Sequence, residues 1–465
     1  MLEGLGNGLR ALWRYPSAVV GLIILVLLFG GSLYAVIALP YQEIGANWFT
    51  PGPDETRYVP RLALPEWVNW LNGHDLPETL VLNSREVEQG SVSKVVERTP
   101  GEVTEVTITF TFDFPYEGFP QDMYLTFDAP YERKMPFALF TWLTPDGRTI
   151  QMRNLSPASG LRYGLDKLVT VEAWFSNEES PEIHALFAAP GEGQAVAQEG
   201  TYTLQVQGLL FEADTNFDVE LVVMGQVYGL AGTDFMRRDL LIPLLWGMPF
   251  ALGFGLFGAV LTTVLAMVLA AAGVWHGGWV DSLIQRLTEA NMILPVLAVS
   301  VLVYAYFHVS LWVIVAVMVL LSVFGTPTKN FRAAFMQVKE EAYVEAARVY
   351  GASNGRIILR YMVPRIVPVL VPQLVMLIPA YIFLEATLAF FNVKAELPTW
   401  GRVIYEAMRW GAAYGSRFWV MEPLCLIILT GLAFGMLGFA LDRILNPRLR
   451  VMAVERSNRE PPRER

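Results

Sequence analysis

Hydrophobicity along this chain follows two different periods. Apolar runs at about 17–39, 241–273, 291–324, 366–391 and 420–441 carry few charges, and a helix needs ~20 such residues to cross a bilayer. The run 291–324 has room for two crossings that turn back near His308-Val-Ser310, so six spans are expected. Between the first two runs the period drops to two. Val106-Thr-Ile108-Thr-Phe110-Thr-Phe112-Asp-Phe114 alternates apolar and polar without a fault, as does Tyr202-Thr-Leu204-Gln-Val206, and Phe217, Val219, Leu221 and Val223 continue the pattern. Alternation of this kind buries one face of a strand and wets the other. Turn signals at Pro145-Asp-Gly147 and Gly191-Glu-Gly193 separate the runs. The expected fold is therefore an α-helical polytopic membrane protein of six transmembrane helices, with an inserted extracytoplasmic β-sandwich-like domain over residues 41–229.

Within that domain Phe110, Phe112 and Phe114 read as sandwich core, with an aromatic ligand groove as the alternative. The stretch 41–75 is proline-rich and carries Trp48, Trp67 and Trp70. It suits either the membrane–water interface, which tryptophan favours, or packing against the sandwich.

Charge sharpens the topology. Residues 41–230 hold 28 acidic and 11 basic side chains, a net of −17 in a chain of net −10, which leaves +7 for the remainder. An acidic block after the first span fits translocation outward, and a basic remainder fits anionic lipid on the inner face. Arg10 and Arg14 precede the first run, which is read as an uncleaved helix. Positive-inside logic then places the N-terminus in the cytoplasm, and six crossings return the arginine-rich C-terminal tail, 451–465, to the same side. The expected location is a prokaryotic inner membrane. Cys425 is the single cysteine, so no disulfide holds the outer block. The four histidines lack metal-ligand spacing, and no metal, cofactor, catalytic residue or nucleic-acid partner is expected.

The remaining chemistry lies in a polar island between two apolar runs. Glu340 to Tyr350 is rich in helix formers. Ala346 and Ala347 are small enough to let a facing surface approach the backbone, and Glu345 and Arg348 are spaced to pair. Gly351 suits the left-handed position that ends a helix, and Ser353 can cap a second one. Pro364 either stops that second helix or opens the fifth span, which Pro368, Pro372 and Pro379 should bend. Standing alone, the island also suits an amphipathic helix on the inner membrane surface. Ionisable groups at span margins, Glu289 beside Arg286, Glu385 and Glu422, are costly in lipid and point to pairing within the bundle or to a pathway. The stretch Gly253-Phe-Gly255-Leu-Phe-Gly258 matches a dinucleotide pattern but lies inside an apolar run with no strand before it, so it reads as helix packing.

Taken in order, Gly232-Thr-Asp234-Phe-Met-Arg-Arg238-Asp239, Gly277-Gly-Trp-Val-Asp281, Glu345-Ala-Ala-Arg-Val-Tyr-Gly351, Leu384-Glu385-Ala-Thr, Pro398-Thr-Trp400-Gly401 and Asn446-Pro-Arg-Leu-Arg450 form a series. This series resembles the permease subunits of dipeptide/oligopeptide/nickel ABC transporters, the C-type subunit in particular. The resemblance covers the membrane part, 230–450, with the first helix, 1–40, and leaves the 41–229 block outside it. Arg237 stands where that family writes glycine, Tyr361 and Val363 replace its commonest residues, and Phe390-Phe-Asn-Val-Lys394 departs from its usual glycine-bearing run.

The resemblance implies an importer permease for peptides or similar small solutes. Coupling helices at about 329–362 would fit a cleft on a cytoplasmic ABC ATPase, with Glu345, Ala346, Ala347, Gly351, Ser353 and Pro364 carrying the coupling. It further implies a second permease subunit, more readily a heterodimer than a homodimer, and an extracytoplasmic solute-binding protein. Glu385 matches the family's acid in the fifth span. The chain has no Gly-x-x-x-x-Gly-Lys-Ser/Thr loop, so nucleotide would bind a partner. A membrane-anchored receptor or sensor, with the β-domain as its binding end, is the alternative from another class.

Overall fold

The structure is a computed structural model that describes residues 13–445, outside 41–43, 45–47, 50–51, 53–56, 87–89, 99–102, 169–182, 190–195, 213–214, 394–397, 411–417 and single positions 14 and 74. The basic tail and the turn at Gly191-Glu-Gly193 lie outside the described residues. The chain divides into two compact units. One comprises the chain up to Gly45, Ile242–Arg409 and the chain from Val420, and the other Ala46–Leu241 with Trp410–Trp419.

Helix α1 (Pro16–Ala38) opens the membrane unit. The second unit begins with a short helix, α2 (Val68–Asn72), and contains strands β1 (Leu80–Asn83), β2 (Val92–Glu97), β3 (Thr104–Phe114), β4 (Asp122–Asp128), β5 (Phe137–Leu143), β6 (Thr149–Gln151) and β7 (Arg162–Gly164), helix α3 (His184–Phe187), and strands β8 (Gly200–Leu210) and β9 (Asp218–Met224). The strands form two antiparallel sheets, ordered β1-β9-β4-β7 and β2-β3-β8-β5-β6. The perfect alternation of β3 is matched by β8, which pairs with it from Thr104↔Leu210 to Phe114↔Gly200. Inward residues of both sheets share one core, which makes the unit a β-sandwich. Phe112 lies 6.0 Å from Trp142 and 6.1 Å from Tyr202, and Phe114 lies 4.8 Å from Phe187. All three phenylalanines are buried in this core, Phe112 and Phe114 against other rings, and the aromatic-groove alternative is not what they form. The polar tips of this core are satisfied. Trp142 Nε1 donates to Leu186 O at 3.0 Å and Tyr202 Oη to Gln198 O at 2.7 Å.

One buried carboxylate ties the two sheets. Asp218 on β9 accepts hydrogen bonds from Lys94 Nζ on β2 at 2.6 Å, Ser84 Oγ at 3.0 Å and Arg85 Nε at 3.3 Å. Burial pushes this carboxyl up. The bond and charge from Lys94, with Ser84 and Arg85, outweigh that and hold it below the usual carboxylate range. A carboxyl depressed by folding contributes stability above its unfolded value of about 3.9, and that contribution is lost as pH falls through its folded value. Asp218→Asn should therefore cost on the order of 2 kcal/mol at neutral pH, since it leaves the largely shielded Lys94 without its anion, while Arg85 keeps Asp128. The gap to wild type should narrow below about pH 4. Hydrogen-exchange protection of β9 in the full chain measures both effects, and a pH-independent gap would contradict this account.

The stretch before the second long helix is knotted into the same unit. Thr233 Oγ1 donates to Pro60 O at 2.7 Å and accepts Ala63 N–H at 2.8 Å. Asp234 is fully buried and pairs with Arg238, whose guanidinium lies 4.0 Å over Trp48 and donates to Trp48 O at 2.9 Å. Arg237 has φ +63°, the left-handed region that suits glycine. Its side chain donates to Val59 O at 3.1 Å, Tyr124 Oη at 3.0 Å and Asp122 Oδ2 at 3.3 Å. The contacts to β4 offset a backbone cost of ~1–2 kcal/mol for a residue with a Cβ. Arg237→Ala loses the contacts and keeps the cost, whereas Arg237→Gly loses the contacts and removes it. The glycine variant should be more stable than the alanine variant by about 1 kcal/mol, measured by thermal melts in detergent. Equal melts would refute the strain.

The membrane unit continues with α4 (Leu241–His276), α5 (Gly278–Asn291), α6 (Val296–Phe307), α7 (Leu311–Val323), α8 (Thr326–Lys339), α9 (Ala342–Val349) and α10 (Asn354–Ile357). A π-turn over Ile358–Met362 leads without a break into α11 (Val363–Phe390), followed by α12 (Trp400–Arg409) and α13 (Phe418–Leu445). Four helical segments are long and apolar enough to span on their own: α1, α4, Asn354–Phe390 and α13. The run 291–324 does turn back at His308, but α6 and α7 have only 12 and 13 residues. At 1.5 Å per residue each reaches about 20 Å, short of a ~30 Å hydrocarbon core. Each is extended by a neighbour, α5 with α6 through a 77° bend and α7 with α8 through a 42° bend, which gives six spans when each bent pair counts as one. The third span therefore starts at Gly278, not near 291.

Glycines let the helices approach. A Cβ on Gly255 would lie 2.6 Å from Ile382 and one on Gly258 2.5 Å from Tyr381, whereas Gly253 meets nothing within 4 Å. Two of the three glycines in the dinucleotide-like stretch are thus packing positions against α11.

Candidate functional site

The polar island folds as a short helix with a sharply defined end. Val344 and Ala347 face inward and are buried, while Glu345 and Ala346 are exposed. The two alanines are thus divided between the faces, and Ala346 is the one available to a partner. Gly351, at φ +77°, ends α9. Gly351 N–H donates to Arg348 O and Ala352 N–H to Ala347 O, both at 3.0 Å, the paired bonds of a Schellman end. This end leaves Val349 81% and Tyr350 89% exposed beside a notch of about 400 Å³. Tyr343, Ala346, Tyr350, Gly351, Arg356 and Tyr361 are among its lining residues.

The next segment differs in detail from the spacing argument. Ser353 occupies the N-cap position of α10 but makes no side-chain cap bond, and Ile357 N–H reaches its backbone O instead, at 3.0 Å. Pro364 does not stop the helix. It lies in the first turn of α11, directly after the π-turn, where Val363 N–H bonds Ile358 O five residues back. The widened turn lets the chain pass a residue that has no N–H to give.

Two cationic side chains connect this region to the end of α4, and a third connects it to α5. Arg348 makes no ion pair with Glu345 among the described residues, and its guanidinium lies 5.1 Å over the Trp275 ring. Lys339 Nζ donates to Val274 O at 2.6 Å, on one of the last carbonyls of α4, where a cation also meets the negative end of the helix dipole. Arg332 on α8 grips Asp281 on α5 with two bonds, Nε to Oδ1 at 2.7 Å and Nη2 to Oδ2 at 2.5 Å. Gly277 and Gly278, at φ +63° and +54°, turn the chain so that Asp281 reaches that partner. Spacing had singled out Asp281 without a role and had missed Arg332, Lys339 and Trp275. Arg332 and Lys339 stand in a polar stretch, the one signal the sequence offered.

The acids at span margins separate. Glu289 is largely exposed at the end of α5, with Lys329 Nζ at 3.6 Å rather than Arg286 as its partner. Glu385 is buried on α11 and bonded to Thr399, with Oε2 meeting no hydrogen-bond partner among the described residues. Nearby, Trp400 Nε1 donates to Leu244 O at 2.9 Å, and Arg402 pairs with Glu406 at 2.7 Å. Among the described residues no group of His, Cys, Asp and Glu is placed to hold a metal ion.

Residues 262–451 match the family of binding-protein-dependent transport system inner membrane components. The chain is 31% identical over 229 residues to a Brucella suis protein named for a peptide transport system permease, an alignment covering 48% of this chain and 74% of the relative. It is 27% identical over 222 residues to the dipeptide transport system permease protein DppC of Bacillus subtilis, covering 47% and 68%. It is 28% identical over 245 residues to the glutathione transport system permease protein GsiD of Escherichia coli, covering 52% and 79%. The chain belongs to the permeases of the peptide/oligopeptide transporter family. It is a permease subunit of an ATP-driven importer, a membrane protein whose family works with a separate ABC ATPase and a substrate-binding protein.

Proposed function

We propose that the chain moves short peptides or similar small solutes into a prokaryotic cell across the inner membrane, as one half of a heterodimeric pathway with a second, homologous permease subunit. The names of its relatives support the substrate class. The observation that carries the coupling assignment is the Schellman-ended helix α9. It presents Ala346 and Tyr350 at a notch, with Val349 exposed at the same helix end, while its other face and Arg348 lean on the permease itself. Apolar, aromatic side chains left in water at a helix end suit a protein surface that covers them. A cytoplasmic ABC ATPase is that surface, and Glu345, Ala346, Gly351 and the stretch to Pro364 form the receiving element. Both termini then lie in the cytoplasm and the β-sandwich outside, its acidic surface facing the solute-binding protein. Glu385 serves the bundle through Thr399.

Reconstitution tests this reading. The chain, its neighbouring permease, ATPase and binding protein are placed in proteoliposomes with a labelled dipeptide or tripeptide. ATP-dependent uptake that needs the binding protein is the expected result. Stable association with the ATPase but no uptake of any short peptide would overturn the substrate class, and no association would overturn the coupling site.

A further inference from the structure

The sandwich unit carries an exposed apolar cluster that neither its core nor the coupling site uses. Helix α2 carries Trp70 and Leu71, which are 90% and 73% exposed, whereas Trp48 and Trp142 of the same unit are buried. Trp67, one turn before Trp70, donates from Nε1 to Leu230 O at 2.9 Å, and Leu230 is itself 67% exposed. Glu66 is turned back, with its carboxylate accepting Gly229 N–H at 2.8 Å. The cluster therefore offers two aliphatic groups and an indole, with the one neighbouring carboxylate held on the backbone.

Two features fix what covers it. The Trp67 ring meets Phe418 edge-on at 5.7 Å, and Phe418 is the first residue of α13, a membrane-spanning helix. Leu240 N–H donates to Gly232 O at 3.1 Å, which closes the 232–240 loop. That closure brings Leu230 to within on the order of 15 Å of Leu241, the first residue of α4, by chain length alone. Both contacts are made by residues next in the chain to, or at the start of, helices long and apolar enough to span a bilayer. Tryptophan with an apolar body and an N–H at its edge is the side chain best suited to the headgroup layer.

We propose that Trp70, Leu71 and Leu230 form a lipid-facing anchor seated in the headgroup layer of the leaflet on the sandwich side. It fixes the base of the sandwich at the membrane surface. The occupant is phospholipid, and water or a protein partner are the alternatives the test must distinguish. In a Cys425→Ser background, Trp70→Cys is labelled with a nitroxide and the transporter complex is placed in nanodiscs of phosphatidylcholine and phosphatidylglycerol. Val95→Cys on the exposed edge strand β2 serves as the aqueous control. The expected result is a several-fold higher ratio of oxygen to nickel-chelate collision at position 70 than at position 95. A ratio equal to the control would place α2 in water, and low collision with both agents would place a protein there. Either outcome overturns the proposal. Trp70 makes no core contact, so its replacement leaves folding intact, and Leu71→Cys repeats the measurement at the adjoining side chain.

Discussion

Ala346→Glu should release the ATPase and abolish ATP-driven uptake while the permease accumulates normally. Ala346 is exposed on α9 and lines the notch, so a glutamate there meets solvent in the free chain and costs little folding stability. Under a covering subunit the same carboxylate is desolvated without a partner. That costs on the order of 3 kcal/mol, about a hundredfold in affinity. Ala347→Glu should behave differently. Ala347 is buried on the inward face beside Val344, so its replacement forces a charge into the permease and lowers the amount of folded protein instead. Gly351 separates the two effects further. Open space surrounds its Cβ position, but φ is +77°, so Gly351→Ala strains the Schellman end by ~1 kcal/mol. Gly351→Asn, which tolerates the left-handed region, should retain most function. Co-purification of the ATPase and coupled uptake in vesicles read all four variants. Normal ATPase binding and uptake by Ala346→Glu would remove α9 as the coupling element.

Periodicity revealed what is local in this molecule. The alternation of β3 and β8 announced their strands, because period two is written into each strand without reference to its neighbours, whereas β9 is buried on both faces, Asp218 and Glu220 included, so its expected wet face is not there. The end of α9 at Gly351 was equally readable, since a helix stop needs one residue that accepts positive φ. Which face of α9 looks inward was not readable. Ala346 and Ala347 are chemically identical, and only the tertiary packing of Val344 tells them apart. The bent spans were hidden for a related reason. Length and hydropathy set how much apolar chain is present, but the join between α5 and α6 depends on how much polar helix the fold lets approach the membrane. Asp281 and Arg332, 51 residues apart, had no common pattern in the sequence. Arg237 was visible only as a departure, and its positive φ explains why glycine is at home there.

Breaking the Asp281–Arg332 grip should uncouple hydrolysis from transport without releasing the ATPase. The pair links α5 to α8, and α8 leads through Lys339 into α9, so the grip lies on the path from coupling helix to spans. Both side chains are about three-quarters shielded, at 20% and 28% exposure. A two-bond guanidinium–carboxylate pair in that setting is more than a surface ion pair yet less than a fully buried one, so losing it costs ~1–3 kcal/mol. Arg332→Ala leaves Asp281 facing α8 without its cation, and the two helices can then move apart when α9 is pushed. The expected result is ATPase activity within about twofold of wild type, since each 1.4 kcal/mol is tenfold and none is removed from the nucleotide site, with uptake per ATP reduced severalfold. Arg332→Lys keeps the charge but offers one bond in place of two, and should fall between. The exchanged pair Asp281→Arg with Arg332→Asp distinguishes mechanism from mere destabilisation. If the link itself transmits the motion, the double variant recovers part of the uptake that each single variant loses, a non-additivity that a double-mutant cycle measures. Additive losses, with the ATPase still bound, would show that the two side chains only hold their own helices and that force travels from α9 to α4 through Arg348 and Trp275.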